Sequence, residues 1–282
     1  MKMYSSHGWK GVRRSGAGCL VLVLLFFAVR ADEPSELFEK GKALYTAHSG
    51  SEELAQAASL FKEAAESGHA GAQGFYGFLL SRGDGVPRDD GAAAIWMGKA
   101  ADAGIASAQL NLGLMILQGR VTEATPSSGE AWITKAAESG NQDAQVRLAE
   151  IYYFGESGVA RNWNKSLQWA RKAAEQGNAW AQNLVGTLLE SGTTGKVDRR
   201  EAMIWYRQAA EQGNAKAQAS LGRLYESGLV GDRDVVEAYY WLWQGVEQGE
   251  PNAINYLKDL VPGMTPAERE AALRRIGEKN DP

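Results

Sequence analysis

Apolar residues recur along this chain at helical spacing. Ala217, Leu221, Leu224 and Tyr225 fall at i, i+4, i+7 and i+8, one apolar stripe of a helix. A neighbouring stripe of Ala202, Trp205, Ala209 and Ala210 predicts a second helix that ends at Gly213. The first kind of helix stops at Gly228, and its counterparts stop at Gly83, Gly119, Gly155 and Gly192. Glycine there can take the left-handed conformation that ends a helix. A turn follows, of which Gly85-Val86-Pro87-Arg88-Asp89 is the clearest example. Asn141, Asn178 and Asn214 stand directly after the glycine closing a second helix, where an asparagine can cap the next N-terminus. The pattern therefore predicts helix pairs joined by very short links.

These pairs repeat. The string Ala-Ala-acid-x-Gly places Gly68, Gly104, Gly140, Gly177 and Gly213 at spacings of 36, 36, 37 and 36, with Gly249 in a degenerate copy 36 further on. Four residues past each glycine stands an alanine (Ala72, Ala108, Ala144, Ala181, Ala217, Ala253), and the first five are followed by glutamine. Trp96, Trp132, Trp169, Trp205 and Trp241 keep the same register, with Leu60 in the equivalent place upstream. A sustained period of this length is the signature of a solenoid.

Small residues at Gly77, Gly113, Ala149, Gly186 and Gly222 sit in the middle of the first helices. A glycine there costs about 1 kcal/mol relative to alanine, so a close approach by the partner helix is expected to compensate. The tryptophans are read as core, because burying one removes roughly 200 Å² from water, worth about 5 kcal/mol at most.

At the strings WYRQAAEQGNAKAQASLGRLYESG around Trp205 and WARKAAEQGNAWAQNLVGTLLESG around Trp169, the chain resembles Sel-one-like repeats, close relatives of tetratricopeptide repeats. The resemblance runs from about Ser35 to Pro251. It implies an all-α fold, a right-handed α/α superhelical solenoid of about six helix-pair repeats. It also implies a concave face lined by first helices on which a protein partner binds. Three units depart from the pattern. The third has Arg120 to Ser128 in place of the usual Gly-Val turn, the fourth has one extra residue between Gly155 and Trp169, and the sixth loses its alanine pair at Gly245 to Gly249. Leu37 to Thr46 reads as the first helix of the first pair, and Asn252 to Leu260 as one more first helix. Thr265-Pro266-Ala267-Glu268 makes a capping box that opens a charged helix to about Gly277, suited to closing the end of the solenoid.

The N-terminus follows a different pattern. Residues 1–31 hold Lys2, Lys10, Arg13, Arg14 and Arg30 with no acid, then a 13-residue apolar run from Ala17 to Val29, then Val29-Arg30-Ala31. That is the layout of a cleaved secretory signal. A helix crossing the hydrocarbon core needs about 20 residues, so membrane attachment is expected only if the segment stays uncut. The organisation expected is a signal peptide at 1–31, a solenoid at 32–250 and capping helices at 251–282, in a periplasmic or secreted protein. Cleavage would leave 25 basic residues against 34 acidic ones, a formal charge of −9. Such a balance argues against nucleic acid, whose binding needs a cationic surface. Cys19 is the only cysteine, so the remaining chain has no disulfide or thiolate ligand and must be stabilised by packing.

Candidates for chemistry are few. Beyond the signal the only histidines are His48 and His69, without the i, i+4 partner of a zinc helix, and solvated or capping roles are expected. There is no Gly-x-Ser-x-Gly elbow, and Gly192-Thr193-Thr194-Gly195-Lys196-Val197 lacks the spacing of a phosphate loop. Glu138, Glu175 and Glu211 recur with the repeat as solvated helix ends. No cofactor, metal or catalytic site is expected.

The outward stripe of each first helix lies at the second, sixth and ninth residues after the marker alanine. It reads Gly74, Phe78, Ser81, then Leu110, Leu114, Leu117, then Val146, Glu150, Tyr153, then Asn183, Thr187, Glu190, and finally Ala219, Arg223, Glu226. The groove is thus apolar in its N-terminal half and polar in its C-terminal half. Phe78, Leu110, Leu114, Leu117, Tyr153 and Trp180 are the candidate partner-binding residues, the alternative being that curvature covers them in the free protein. The function implied by the resemblance is a non-catalytic interaction scaffold or adaptor in a bacterial envelope. Its alternatives are an immunity or inhibitor protein that blocks a secreted toxic enzyme, and an accessory subunit of a glycan or peptidoglycan enzyme using acids such as Glu150 and Glu190.

Overall fold

The structure is a computed structural model that describes residues 33–47, 50–122 and 124–280. The signal-like segment, Cys19 and His48 lie outside the described residues. Glu33 onward forms one compact unit. Its helices are α1 (Pro34–Ala47), α2 (Ser51–Glu66), α3 (Ala70–Arg82), α4 (Asp90–Asp102), α5 (Ala106–Leu117), α6 (Pro126–Glu138) and α7 (Gln142–Phe154). They continue as α8 (Trp163–Glu175), α9 (Ala179–Ser191), α10 (Arg199–Glu211), α11 (Ala215–Ser227), α12 (Val235–Glu247), α13 (Pro251–Leu260) and α14 (Pro266–Asn280), with a short 3₁₀ turn at Val261–Gly263. Each odd helix up to α11 packs on the even helix after it, and each even helix up to α12 packs on the next odd one, which makes a solenoid of six pairs.

The predicted punctuation is present. Asn141, Asn178 and Asn214 accept the backbone N–H of Ala144, Ala181 and Ala217 at 2.8, 2.9 and 3.0 Å. His69 does the same through Nδ1 to Ala72 at 3.0 Å, so its role is capping. Such a cap contributes about 1 kcal/mol. Gly83, Gly155, Gly192 and Gly228 close first helices in the left-handed conformation. The extra residue of the fourth unit is absorbed in the loop before α8, where Ser157 is the one non-glycine residue with positive φ among those described and Val159 is buried.

Within a pair, a small residue on the first helix faces a specific partner on the second. A Cβ on Gly77 would lie 2.8 Å from Met97 Cγ; on Gly113, 2.5 Å from Ile133 Cγ1; on Gly186, 2.7 Å from the Tyr206 ring; on Gly222, 2.7 Å from Leu242 Cγ. In the fourth unit alanine replaces this glycine, and the matching second-helix residue is the small Ala170; both Ala149 and Ala170 are fully buried. The expected close approach is therefore real, and its tightness is set pair by pair.

The tryptophan reading needs correction. Trp169 and Trp241 are buried, but Trp96, Trp132 and Trp205 are only half-buried. The innermost second-helix position is the residue after each tryptophan: Met97, Ile133, Ala170, Tyr206 and Leu242, with Phe61 after Leu60. The tryptophan lies one residue, or about 100°, round the helix from that position. There Lys99, Lys135 and Lys172 place their ammonium groups 4.1, 4.0 and 4.3 Å from the Trp96, Trp132 and Trp169 rings. These are i, i+3 cation–π contacts.

A glutamine clamp joins successive pairs. The glutamine after each marker alanine (Gln73, Gln109, Gln145, Gln182, Gln218) donates through Nε2 to a carbonyl at the end of the preceding second helix, at 3.0 to 3.2 Å. In the last three its Oε1 also accepts from a glutamine closing the following second helix: Gln176 to Gln145 and Gln212 to Gln182 at 2.7 Å, Gln248 to Gln218 at 2.8 Å. The residue in that place for Gln109 is Ser139, too short to reach, and Gln109 Oε1 is buried without a partner.

The C-terminal helix α14 has the predicted capping box, with Thr265 and Glu268 bonded reciprocally, and runs three residues beyond Gly277. It packs back on α12, burying Ala272 and setting the Arg275 guanidinium 4.4 Å over the Tyr240 ring. Arg275 also pairs with Glu237 at 2.8 Å.

Candidate functional site

The first helices present two chemically different stretches of surface. At the N-terminal end, α1, α3 and the start of α5 enclose an open cavity of about 360 Å³ lined by Phe38, Gly71, Gly74, Phe75, Phe78, Ile105, Ser107, Ala108 and Asn111. The aromatic wall is preorganised. Phe75 meets Phe38 and Phe78 edge to face, with centroids 6.2 and 6.1 Å apart, and stacks on Phe61 at 4.7 Å. His69, fixed by its capping bond, lies against Phe38 at 4.6 Å.

Gly74 is the one glycine in the predicted outward stripe. A Cβ there would meet the Ala100 and Ala108 methyls at 3.4 Å, an ordinary contact, so packing does not demand glycine. Its effect is to leave the cavity open, in contrast to Gly77 one turn later, where a partner helix leaves no room.

The candidate residues separate into groups. Phe78 lines the cavity. Leu110 and Leu117 are each only 9% exposed and belong to the core cluster shared with the next unit. Leu114, Tyr153 and Trp180 are half-buried, their inner surfaces packed on that cluster, and none of them lines the cavity. The pattern missed Phe38, Phe75, Ile105 and Asn111. Phe75 and Asn111 stand one residue beyond the stripe, Ile105 is in a link, and Phe38 belongs to a unit whose first helix lacks the marker motif.

The C-terminal stretch is polar. Asn183 and Thr187 of α9, Lys216, Ala219 and Ser220 of α11, and Asn252 and Tyr256 of α13 line a smaller cavity of about 180 Å³. Beside it, Glu190 accepts from Arg223 and, at 3.1 Å, from the Tyr206 hydroxyl. Burial pushes the Tyr206 phenol well above its ordinary value, so it stays a neutral donor. Glu150 accepts from Arg147 at 3.0 Å, and the same guanidinium reaches Glu156 at 2.9 Å. Both groove carboxylates named as candidates for glycan chemistry are therefore held in ion pairs. Among the described residues no group of three or more His, Cys, Asp or Glu side chains is placed to hold a metal ion.

The fold and this surface define a helical-repeat protein of the kind that works through protein–protein contact, on a scaffold that typically carries no catalytic site. The Sel1 repeat pattern matches residues 50–69, 70–105, 106–141, 142–178, 181–214 and 215–250, and the chain belongs to the Sel1 repeat family. Among solved structures, it is similar to a Sel1 repeat protein from Oxalobacter formigenes, at 28% identity and a TM-score of 0.65 over 83% of this chain and 94% of that one. It is also similar to c5321, described as a protective antigen present in uropathogenic Escherichia coli strains, at 26% identity and a TM-score of 0.52 over 88% of this chain and 61% of that one. An immunity protein from Pseudomonas aeruginosa shares 21% identity with a TM-score of 0.44, over 78% of this chain and 83% of that one. No curated protein sequence matches the chain.

Proposed function

We propose that this chain is a non-catalytic scaffold that receives a protein partner on its first-helix surface, with an apolar side chain of the partner seated in the cavity between α1, α3 and α5. The observation that carries the reading is the cavity at Gly74: three phenylalanines and Ile105 line an open space of about 360 Å³ beside a glycine that packing does not require. Water-exposed apolar concavities with a few polar groups at the rim are where binding energy concentrates. Ser107 and Asn111 supply that rim. The basic, apolar and small-residue layout of residues 1–31 supports action outside the cytoplasm of a bacterium.

The test is affinity capture from native envelope and secreted fractions, comparing the native chain with Gly74→Leu and Phe78→Glu variants checked for fold by circular dichroism. One protein recovered stoichiometrically with the native chain and lost with both variants is the expected result. Equal recovery by all three would place the contact elsewhere. Mass spectrometry of the N-terminus tests the export reading, since a cleaved chain begins at or near Asp32 and an intact one at Met1 or Lys2.

A further inference from the structure

The sixth pair is followed by a first helix whose pairing face is left uncovered. In α13, Leu257 holds the place of Tyr76, Leu112, Leu148, Val185 and Leu221, four residues past the marker alanine. Those five are buried, whereas Leu257 is only half-buried. The helix that follows, α14, packs on α12 instead of pairing with α13. What remains is an open cavity of about 350 Å³ lined by Val246, Ile254, Leu257, Lys258, Val261 and Pro262.

Lys258 decides what can enter. It stands at the place of Gly77, Gly113, Ala149, Gly186 and Gly222, where a small residue lets a second helix come close. A lysine there holds a helix off, while its stem can cover apolar surface with the ammonium in water. The rest of the lining is hydrocarbon, and no carboxylate belongs to it. Lys258 forms no salt bridge among the described residues. A cavity of this size falls at the small end of ligand pockets. Its shape and chemistry suit a slender apolar chain that ends in an anion, with hydrocarbon against the wall and charge at the ammonium.

We propose that the cavity between the end of α12 and α13 binds the anion of a fatty acid. The alkyl chain lies along Val246, Ile254, Leu257 and Val261, and the carboxylate pairs with Lys258. From Ile254 to Pro262 the groove follows α13 for about 12 Å, room for a medium-length chain. Asn252, Tyr256 and Asp259 of the same helix line other cavities, so this site is separate from the first-helix surface and does not rest on the scaffold reading.

The experiment is isothermal titration calorimetry of the purified chain with hexanoate, octanoate, decanoate and dodecanoate below their micelle concentrations. Single-site binding is expected, with a negative heat-capacity change from the buried hydrocarbon. Each added methylene should tighten it about threefold until the chain outgrows the groove. Decanol and decyltrimethylammonium should bind about tenfold more weakly than decanoate, or worse, the scale of a charge-assisted hydrogen bond. Lys258→Glu should weaken decanoate binding by a similar factor, while Lys258→Arg should keep most of it. Lys258 is exposed, so these variants should fold normally. Leu257→Glu, checked for fold by circular dichroism, should abolish binding by placing a carboxylate where the chain lies.

No saturable binding up to about 1 mM, the weak limit for specific recognition, would overturn the proposal. So would equal binding of decanoate and decyltrimethylammonium, or indifference to either Lys258→Glu or Leu257→Glu. Binding to anionic phospholipid vesicles in place of free decanoate would assign the face to a membrane and overturn it. A concentration-dependent dimer in sedimentation that Leu257→Glu dissociates would assign the face to a second copy, with the same consequence. Gly74→Leu should leave decanoate binding unchanged, which keeps this result apart from that of the partner cavity.

Discussion

Replacing Ser139 with glutamine should stabilise the protein. In three later units a glutamine at this place donates to the clamp glutamine 30 or 31 residues earlier, and Gln109 alone has a buried carbonyl oxygen left over where Ser139 stands. An unsatisfied buried acceptor costs about 1 to 3 kcal/mol, and a typical internal hydrogen bond contributes about 1 kcal/mol net. Against this stands the entropy of ordering a glutamine, up to roughly 1.5 kcal/mol, and the loss of the partly buried bond from Ser139 Oγ to Ala136 O at 2.8 Å. A net gain of about 1 kcal/mol is expected, which for a chain of this size raises Tm by about 2 to 4 °C.

Thermal and urea unfolding followed by circular dichroism at 222 nm measure it. The control is Ser139→Glu, which has the same shape but, once ionised, presents an acceptor to an acceptor and should give no gain. Adding Gln109→Ala should erase the benefit of Ser139→Gln, because the coupling between the two positions is the whole of the argument. If glutamate stabilises as much as glutamine, or the gain survives removal of Gln109, the clamp is not the source.

Two other changes probe the packing and the charges. Gly113→Ala raises helix propensity by about 1 kcal/mol but forces a methyl to within 2.5 Å of Ile133, so a net loss of about 1 to 2 kcal/mol is expected. Gly113→Ala with Ile133→Ala removes the side-chain clash but leaves the new methyl 2.7 Å from the Gly129 carbonyl oxygen, so it should cost less than the two single changes together without restoring native stability; strict additivity in a double-mutant cycle would contradict direct contact. The hydrogen bonds from Arg120 and then Arg88 hold the Asp90 carboxyl well below the usual carboxylate range. A depressed folded pKa means the contribution is full above the unfolded value near 3.9 and is lost as pH falls toward the folded one. Asp90→Asn should therefore lose less stability than the native chain as pH falls from about 5 to about 2; an unchanged difference in urea midpoints would refute the assignment.

The repeat, its caps and its close approaches were legible because each is a local requirement: a left-handed glycine at a helix end, an asparagine oxygen for an orphan N–H group, a missing side chain where helices touch. What was not legible depends on orientation about the helix axis. Trp96 and Met97 are neighbours in sequence and both apolar, and only the angle of the facing helix decides that Met97 is interior while Trp96 lies at the edge under Lys99. Leu110 and Leu117 read as groove residues because they oppose the stripe facing their own second helix, yet they fill the seam toward the next unit. The path of α14 was equally hidden. Its Leu273 is 61% exposed while Ala272 beside it is fully buried, so hydrophobicity alone points to the wrong residue. The aromatic cavity draws on three helices, one from a unit without the marker motif, and no spacing rule joins them.

The matched small and large residues within each pair have a consequence for how such an array can change length. Gly113 fits Ile133, Gly186 fits Tyr206, and Ala149 goes with Ala170, so a first helix moved alone into another unit would meet a partner cut to a different depth. A whole pair, excised at the glycine-asparagine links, takes its fit with it and meets the same clamp glutamine on the far side. The natural currency of insertion, deletion and recombination in this protein is thus the two-helix block of about 36 residues. An engineer who wishes to move the two cavities further apart would add such blocks between α5 and α9, changing the distance between sites while leaving each site as it is.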